Sequence, residues 1–595
     1  MEEIRAAVRK KSISSVPYKC CPRLLPVMLQ IFHKIWSSKE IPADWSAACV
    51  QLLPKSSKTS EPSEVRPIAL TNTIGKIFFA VIAKRLENFM LSNKYITHSQ
   101  KGFKADTPGC LEHFFAMFQA LLDAKHNQRQ IVLAWFDLKN AYGSVRHNLI
   151  QFALTWFHVP LLIRELIMNY YEKICAQIRS KDWKTPFFFF DIGLFQGCVL
   201  SCILFNCVFQ LLLNLVKPLS LEHGYHFKDI AVVLHDQAFA DDISVTSSCP
   251  KLAQRTIDVI VAFLEWYHFQ FNLKKCITMA TKQFDPRNEH KTDFERYAAT
   301  VYCPYDPELT INGERLKFIV DAAADESSLQ YDHFKELGRF ISVDLKEDKM
   351  KTEVRRRLDN DIDLVDKSGV NGLCKLFLYE HFVIRRLSWV FLVHDFNLWF
   401  AKELEKNITI RLKRWAGLFR GCDLGALFRT REHLGLQIIS IVYHYQRMQL
   451  VKCCILANSK DEKVRAIFEA KKAHVLTFAR RWSASKELCT LQPVVDFSLH
   501  YPSQLSTSGL GANKADPFIA EPSVKELRSK TTSTLAMLSE EKRMQHASCL
   551  TRQGVWTHWD NVKPFDLSWS NLIYGLDPLV IAFVLNAQIN SVRTP

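Results

Sequence analysis

The sequence predicts an α+β protein with a helical C-terminal part, and three observations predict it. The unbroken apolar run Ile131-Val132-Leu133-Ala134-Trp135-Phe136 reads as a buried strand that delivers Asp137 at its C-terminal end. Alternation from Ala238 to Val245 reads as a β-hairpin whose tip carries Asp241 and Asp242. Apolar residues then recur at helical spacing. Ile203, Leu204, Val208, Leu211, Leu212 and Leu215 form one stripe ahead of Pro218, and Leu252, Thr256, Ile260, Phe263 and Trp266 form another.

Adjacent carboxylates at a strand tip repel each other and favour solvent, so they are poor fold material. A cation held between them and Asp137, about a hundred residues upstream, gives them a purpose. Two-metal phosphoryl transfer needs oxygen ligands holding two Mg²⁺ about 3.5–4 Å apart, one activating a 3′-hydroxyl and one stabilising the leaving pyrophosphate. Alone, an Asp-Asp pair is an ordinary solvated turn; its neighbours decide the matter.

Those neighbours come in a fixed order. Val65-Arg66-Pro67-Ile68-Ala69-Leu70, Gly75-Lys76-Ile77 and Ser99-Gln100-Lys101-Gly102-Phe103 precede the first aspartate. Asp137 is followed by Tyr142 and His147 at five and ten residues. Gly193-Leu194-Phe195-Gln196-Gly197-Cys198-Val199-Leu200-Ser201 makes a Gln-Gly turn into a helix. Phe239-Ala240-Asp241-Asp242, Asn272-Leu273-Lys274-Lys275-Cys276 and Lys335-Glu336-Leu337-Gly338-Arg339-Phe340 follow.

In this order the segments resemble the reverse transcriptases of non-LTR (LINE-like) retrotransposons, most of all the subgroup that carries a restriction-like endonuclease. The resemblance implies a right-hand polymerase: an antiparallel palm sheet flanked by helical fingers and thumb. It implies that Asp137 and Asp241 hold two Mg²⁺, with Asp242 adjacent. Tyr142 would pack under the incoming sugar and exclude a 2′-hydroxyl. Gln196 would touch the nucleotide, with Gly197 allowing close backbone approach. Arg66 and Lys76 would grip the triphosphate. Lys275, chosen over Lys274 by register, would protonate the pyrophosphate, and Leu337-Gly338 would form the primer-grip turn. Ser201-Cys202 departs from the family's Ser-Pro. Taken singly, Tyr142 reads as core packing and each lysine or arginine as a solvated charge.

Composition agrees with a nucleic-acid partner. Of 595 residues 48% are hydrophobic and 23% charged, and 77 basic against 61 acidic side chains leave a net charge of +16. An acidic membrane surface would suit the same balance. No apolar run approaches the roughly 20 residues of a membrane span and no signal peptide is evident, so the expected location is the nucleus and cytoplasm. The seventeen cysteines, including Cys20-Cys21 and Cys453-Cys454, read as buried thiols of a reducing compartment. His546 and Cys549 lack a second ligand pair, which argues against zinc.

Residues 1–50 read as an amphipathic helical extension with Leu24, Met28, Ile31 and Ile35 on one face. Pro54 to Glu64 reads as a loop. Residues 51–345 are expected to be fingers and palm, with the Phe187 to Phe190 run as a buried palm strand. Residues 346–455 are expected to be a helical thumb, with Trp389 and Trp415 as core anchors and a turn at Leu434-Gly435-Leu436. Arg355-Arg356-Arg357, with Arg385, Arg386, Lys413 and Arg414, would hold duplex phosphates. Residues 456–595 read as a helical and linker region, with a linker over 490–535. Ala582 to Ala587 and Thr594-Pro595 resemble the segment before that subgroup's zinc knuckle, so the chain reads as cut short of knuckle and endonuclease.

The reading is an RNA-directed DNA polymerase that extends a DNA primer on an RNA template with deoxynucleoside triphosphates, with no membrane and no obligate protein partner. The alternatives are a catalytically inactive, nucleic-acid-binding relic and an intron-maturase-like reverse transcriptase.

Overall fold

The computed structural model describes residues 20–55, 64–104, 107–283, 302–319, 330–331, 334–336, 339–342, 345–433, 435–471, 524–551 and 577–588, with a few isolated positions besides. The chain divides into two compact units: residues 1–332 without Phe114–Ala116, and residues 333–595 with them. This division lies ahead of the expected palm–thumb boundary at 345.

Among the described residues the first unit runs from helix α1 (Leu24–Ser38) through strands β1 (Ala47–Pro54) and β2 (Val65–Thr71) to helices α2 (Thr73–Ser92) and α3 (Gly109–His126). Strand β3 (Ile131–Phe136), helices α4 (His147–Trp156) and α5 (Leu161–Glu172), and strands β4 (Cys175–Ile178) and β5 (Phe188–Phe189) follow. Next come helix α6 (Val199–Val216), the hairpin β6 (Asp236–Phe239) and β7 (Asp242–Ser247), helix α7 (Pro250–Trp266), and strands β8 (Ile277–Gln283), β9 (Tyr302–Tyr305), β10 (Lys317–Ile319) and β11 (Gln330–Tyr331).

Two sheets organise this unit. One runs β2-β1-β4-β5; the other runs β11-β10-β8-β3-β7-β6, with β9 also paired to β8. The expected antiparallel palm sheet holds at its centre, where β3 lies antiparallel to both β7 and β8. Its far edge is parallel, β8 with β10 and β10 with β11. Every residue of β3 is buried, as an all-apolar strand at the middle of a covered sheet must be. Helix α6 packs on α2, α4 and α7 and is buried on nearly all sides, Leu215 being an exposed exception. That wrap corrects one expectation. Val199–His223 is long and apolar enough to cross a membrane (mean hydropathy 2.2), but 78% of that window is buried inside the protein.

Other details differ from the sequence reading for reasons of register. In α1 the buried stripe is Leu25, Met28, Phe32 and Ile35, while Leu24 and Ile31 face out. In α7 Trp266 is exposed, and Phe263 and Leu264 take the core positions. Phe187 to Phe189 are exposed at the edge of the four-stranded sheet rather than buried in the other one. Cys20, Cys21 and Cys549 are exposed, whereas Cys453 and Cys454 are buried.

The second unit is mostly helical. A hairpin, β12 (Phe334–Glu336) with β13 (Arg339–Ile341), precedes helices α8 (Asp348–Lys367), α9 (Gly372–Leu378), α10 (Ile384–Val393), α11 (Leu398–Trp415), α12 (Ile441–Ala457), α13 (Val524–Ser548) and α14 (Pro578–Gln588). Asn371, Asn397 and Ser440 cap α9, α11 and α12 through their side-chain oxygens. Trp415 is a core residue as expected and also donates from Nε1 to Asp366 Oδ1 (2.8 Å), whereas Trp389 is half-buried. Ile581 and Leu585 of α14 join this core. The linker expected over 490–535 is helical from Val524 onward. Its earlier part, Leu337-Gly338, Leu434, most of the loop after Pro54, and Thr594-Pro595 lie outside the described residues.

Candidate active site

Strand register brings the three aspartates to one end of the sheet. Phe136 pairs with Ile243, so Asp137 and Asp242 continue the ladder side by side. Phe239 pairs with Asp242, which leaves Ala240-Asp241 as a two-residue tip. Such tips need a positive φ, and Ala240 supplies it at 60°.

A side chain that the sequence reading passed over holds this tip. Gln100 is fully buried. Its Nε2 donates to Ala240 O (3.1 Å), and its Oε1 accepts from Ala240 N (2.9 Å) and Gly102 N (2.8 Å). Residues on either side of Gln100 bond to β6 like a further strand, Ala238 N donating to Ser99 O (2.8 Å) and Lys101 N to Ala238 O (2.9 Å). Gly102 must be glycine here, because a Cβ would lie 2.2 Å from Ala240 N. The only sequence signal was the Gln-Lys-Gly run itself, which says nothing about its partner 140 residues away.

The electrostatics are those of crowded like charge. Burial, then the neighbouring Asp241, then Asp137 push the Asp242 carboxyl up to about 6, against a smaller opposing pull from Lys275. Asp241 is raised mainly by burial and also by Asp137, and Lys275 and Arg66 pull it back. Asp137 Oδ2 accepts from Asn272 Nδ2 (2.8 Å) and lies 3.4 Å from Lys275 Nζ. Of the two adjacent lysines, Lys275 is the one at the carboxylate. Among the described residues no three Asp, Glu, His or Cys side chains close around an ion. The donor set nonetheless suits a hard cation, since Mg²⁺ commonly uses one or two carboxylates and takes its remaining oxygens from phosphate and water.

Tyr142 lies in a 3₁₀ turn, Ala141–Ser144, with its ring flat on Phe205 (4.8 Å between centroids, 2° apart) and edge-on to Phe103 (6.1 Å). Burial and the adjacent Cys202 raise its hydroxyl pKa, and Asp241 adds to the shift. The segment before Gln196 is laced to the same turn. Gly193 N donates to Val145 O (2.7 Å), Leu194 N to Tyr142 O (2.8 Å), and His147 Nε2 lies 3.1 Å from Gly193 O. Burial lowers the His147 pKa, so this neutral ring is a tether.

Gln196 O accepts from Ala69 N (2.7 Å), tying the segment to β2, the strand of Arg66. Gly197 has φ 110°, and a Cβ on it would lie 2.8 Å from Ala69 O. Arg66 is exposed and its charge reaches Asp241. Lys76 is half-buried in the first turn of α2, which Asn72 caps, and among the described residues no ion pair or hydrogen bond links it to the carboxylates.

The arginine run on α8 has partners already. Arg355 pairs with Glu403 (2.7 Å) and lies over the Phe400 ring, while Arg356 (2.8 Å) and Arg357 (2.5 Å) share Glu353. His546 lies 3.4 Å from Asp423 Oδ1, and Cys549 does not join it in a metal cluster.

Residues 53–298 match the family described as reverse transcriptase (RNA-dependent DNA polymerase). The chain is 26% identical over 256 residues to the Pol polyprotein of the type-2 retrotransposable element R2DM of Drosophila melanogaster, which covers 43% of this chain and 23% of that protein. It is 25% identical over 296 residues to the Pol polyprotein of retrotransposable element R2 of Nasonia vitripennis, covering 47% and 28%. The matched stretch thus spans about a quarter of each relative's length. Among solved structures, apo telomerase from Candida tropicalis aligns over 79% of this chain and 73% of that one, at 11% identity and a TM-score of 0.38.

Proposed function

We propose, from the premise that this chain carries the reverse transcriptase domain of a non-LTR retrotransposon, that it extends a DNA 3′-hydroxyl on an RNA template. Reverse transcriptases use divalent metal ions. The finer reading is that Asp137 and Asp241 hold two Mg²⁺, with Asp242 beside them. When bound, such ions activate the 3′-hydroxyl and stabilise the leaving pyrophosphate.

The observation that carries this reading is the register at the sheet end, which aligns Asp137 with Asp242 and crowds partly buried carboxylates that Lys275 only partly offsets. The chain's own groups do the rest. The Tyr142 ring, braced on Phe205, is a rigid wall where a 2′-hydroxyl would need room. Arg66 and Lys76 meet the triphosphate, and the Gln196-Gly197 backbone lets the nucleotide approach closely. Lys275 serves Asp137 in the resting site and turns to the pyrophosphate as proton donor when it departs. The template–primer duplex is gripped largely through its phosphates. Arg355, Arg356 and Arg357 contribute to that grip only by exchanging Glu403 and Glu353 for phosphate.

The deciding experiment is primer extension on poly(rA)/oligo(dT) with and without Mg²⁺. Metal-dependent incorporation of deoxythymidylate is expected. A folded protein that binds the duplex but incorporates nothing at any Mg²⁺ concentration would sink the catalytic reading.

A further inference from the structure

The edge of the four-stranded sheet carries side chains that the catalytic reading leaves unused. In the hairpin that joins β4 to β5, Trp183 and Phe187 are each 54% exposed, Phe188 38% and Phe189 72%. The hairpin is ordered by its own bonds, Ser180 N donating to Trp183 O (2.9 Å) and Thr185 N to Ile178 O (3.0 Å), and is tied to β1 by Arg179 N donating to Val50 O (3.0 Å). The rings are therefore held outward on a fixed frame. Successive strand residues face opposite sides, yet three consecutive phenylalanines are exposed, so neither face of this edge is covered. A bare aromatic edge is an aggregation hazard unless something occupies it.

Charge chooses the occupant. The turn carries Arg179, Lys181 and Lys184 against one carboxylate, Asp182, and among the described residues none of these three cations makes an ion pair. The aromatic row also runs toward the candidate nucleotide segment. The Phe188 and Phe190 rings are 5.0 Å apart, Phe190 and Phe195 are 5.6 Å apart, and Gln196 follows directly. Outward rings interleaved with free cations suit a single nucleic-acid strand, because a ring stacks on any base and the cations take the backbone.

We propose that the hairpin of residues 179–189 is a stacking platform for unpaired RNA, namely the stretch of template not yet copied. The identification of that strand as template rests on the polymerase reading; the binding of single-stranded RNA does not.

The test uses the triple variant Trp183→Ala, Phe187→Ala, Phe189→Ala, whose sites are exposed and touch no catalytic group. Two RNA templates share one DNA primer, one ending a single nucleotide past the primer terminus and one with a long unpaired 5′ extension. The variant should lose about tenfold in affinity for the extended template, with kcat and KM on the short one unchanged. Lys181→Glu with Lys184→Glu should weaken the same binding and flatten its salt dependence. Equal losses on both templates, or none on either, would overturn the platform. If the wild type extends neither template, the polymerase reading fails. Anisotropy with an unpaired RNA oligonucleotide then still decides: about tenfold tighter binding by wild type than by the triple variant supports the platform, and equal binding rejects it. Unchanged RNA binding with altered self-association would instead give the edge to a second copy of the chain.

Discussion

The carboxylates at the end of the central sheet and the arginines along α8 are charged in opposite senses and held in opposite ways. On α8 nearly every charge has a counter-charge: Glu353 serves Arg356 and Arg357, Asp361 takes Arg386 (2.5 Å), Asp363 takes Arg411 (2.9 Å) and Asp366 takes Arg414. At the sheet end Asp137, Asp241 and Asp242 raise one another's energy, and the fold spends a buried glutamine to keep them there. Paired charge needs no further explanation than solubility and helix–helix register. Charge held against its own repulsion needs a ligand.

Removing charge from the sheet end should have the largest effect. Asp137→Asn or Asp241→Asn should abolish primer extension, by on the order of 10³-fold or more, while the folded state persists. Asp241→Asn should leave the melting temperature unchanged or raised, because it relieves repulsion. Extension at the wild-type rate by either variant would show that the metal site is misassigned.

Next in size is Gln100. Gln100→Ala deletes three bonds around the tip and leaves Ala240 N and O unpaired in a buried place. A stability loss of roughly 2–3 kcal/mol is expected, with kcat lowered about 10–100-fold as for other groups that orient metal ligands. Gln100→Glu loses the donor and buries a further carboxyl at the crowded tip, so it should be no milder than alanine at neutral pH and recover as pH falls. If the alanine variant loses stability yet keeps kcat and its Mg²⁺ dependence, Gln100 is structural only.

That residue also marks where the sequence stopped being legible. The strand at Ile131–Phe136, the Asp241-Asp242 hairpin and the α6 stripe were readable because their periodicity is local. Motif register singled out Lys275 over Lys274, but not that it lies 3.4 Å from Asp137 Oδ2. Gln100 was not readable, because its function lies in backbone atoms of a hairpin far along the chain. The exposed Phe187 to Phe189 run misled for the opposite reason: an apolar run signals burial on average, and composition does not reveal that β5 is an edge. The ion pairs of the arginine run were legible only in part: Glu353, one turn away, serves Arg356 and Arg357, whereas Glu403, the partner of Arg355, sits on another helix.

The pH dependence of stability separates the two regions more gently. Burial and the neighbouring Asp241 and Asp137 push the Asp242 carboxyl up to about 6, above the ordinary aspartate value of about 3.9, so the folded state binds the extra proton between those values. Stability therefore falls as pH rises from about 4 to about 6, by up to roughly 2–3 kcal/mol, and stays low above that. Chemical denaturation across this range should show the fall in wild type, a flatter curve in Asp242→Asn, and a flatter curve when Mg²⁺ is added. The α8 pairs act in the opposite sense: Glu353 and Glu403 are held below the usual carboxylate range, so their contribution is lost as pH drops. A wild-type curve that rises from pH 4 to 6 and is unchanged in Asp242→Asn would mean that the crowding at the hairpin is not felt.

The smallest effect tests whether the α8 arginines can leave their partners. Exposed ion pairs are worth about 0–1 kcal/mol, so duplex phosphate can compete for Arg356 and Arg357 at little cost. Glu353→Gln removes the competitor without removing either cation. If this face meets the duplex, the variant should bind template–primer a few-fold tighter, and log affinity should fall more steeply with log salt, by about 0.7–0.9 for each phosphate gained. Arg356→Ala with Arg357→Ala should move the slope the other way. A slope that neither change alters places these arginines on a face that solvent and its own carboxylates fully satisfy, and the duplex grip must then be sought among other cations of the chain.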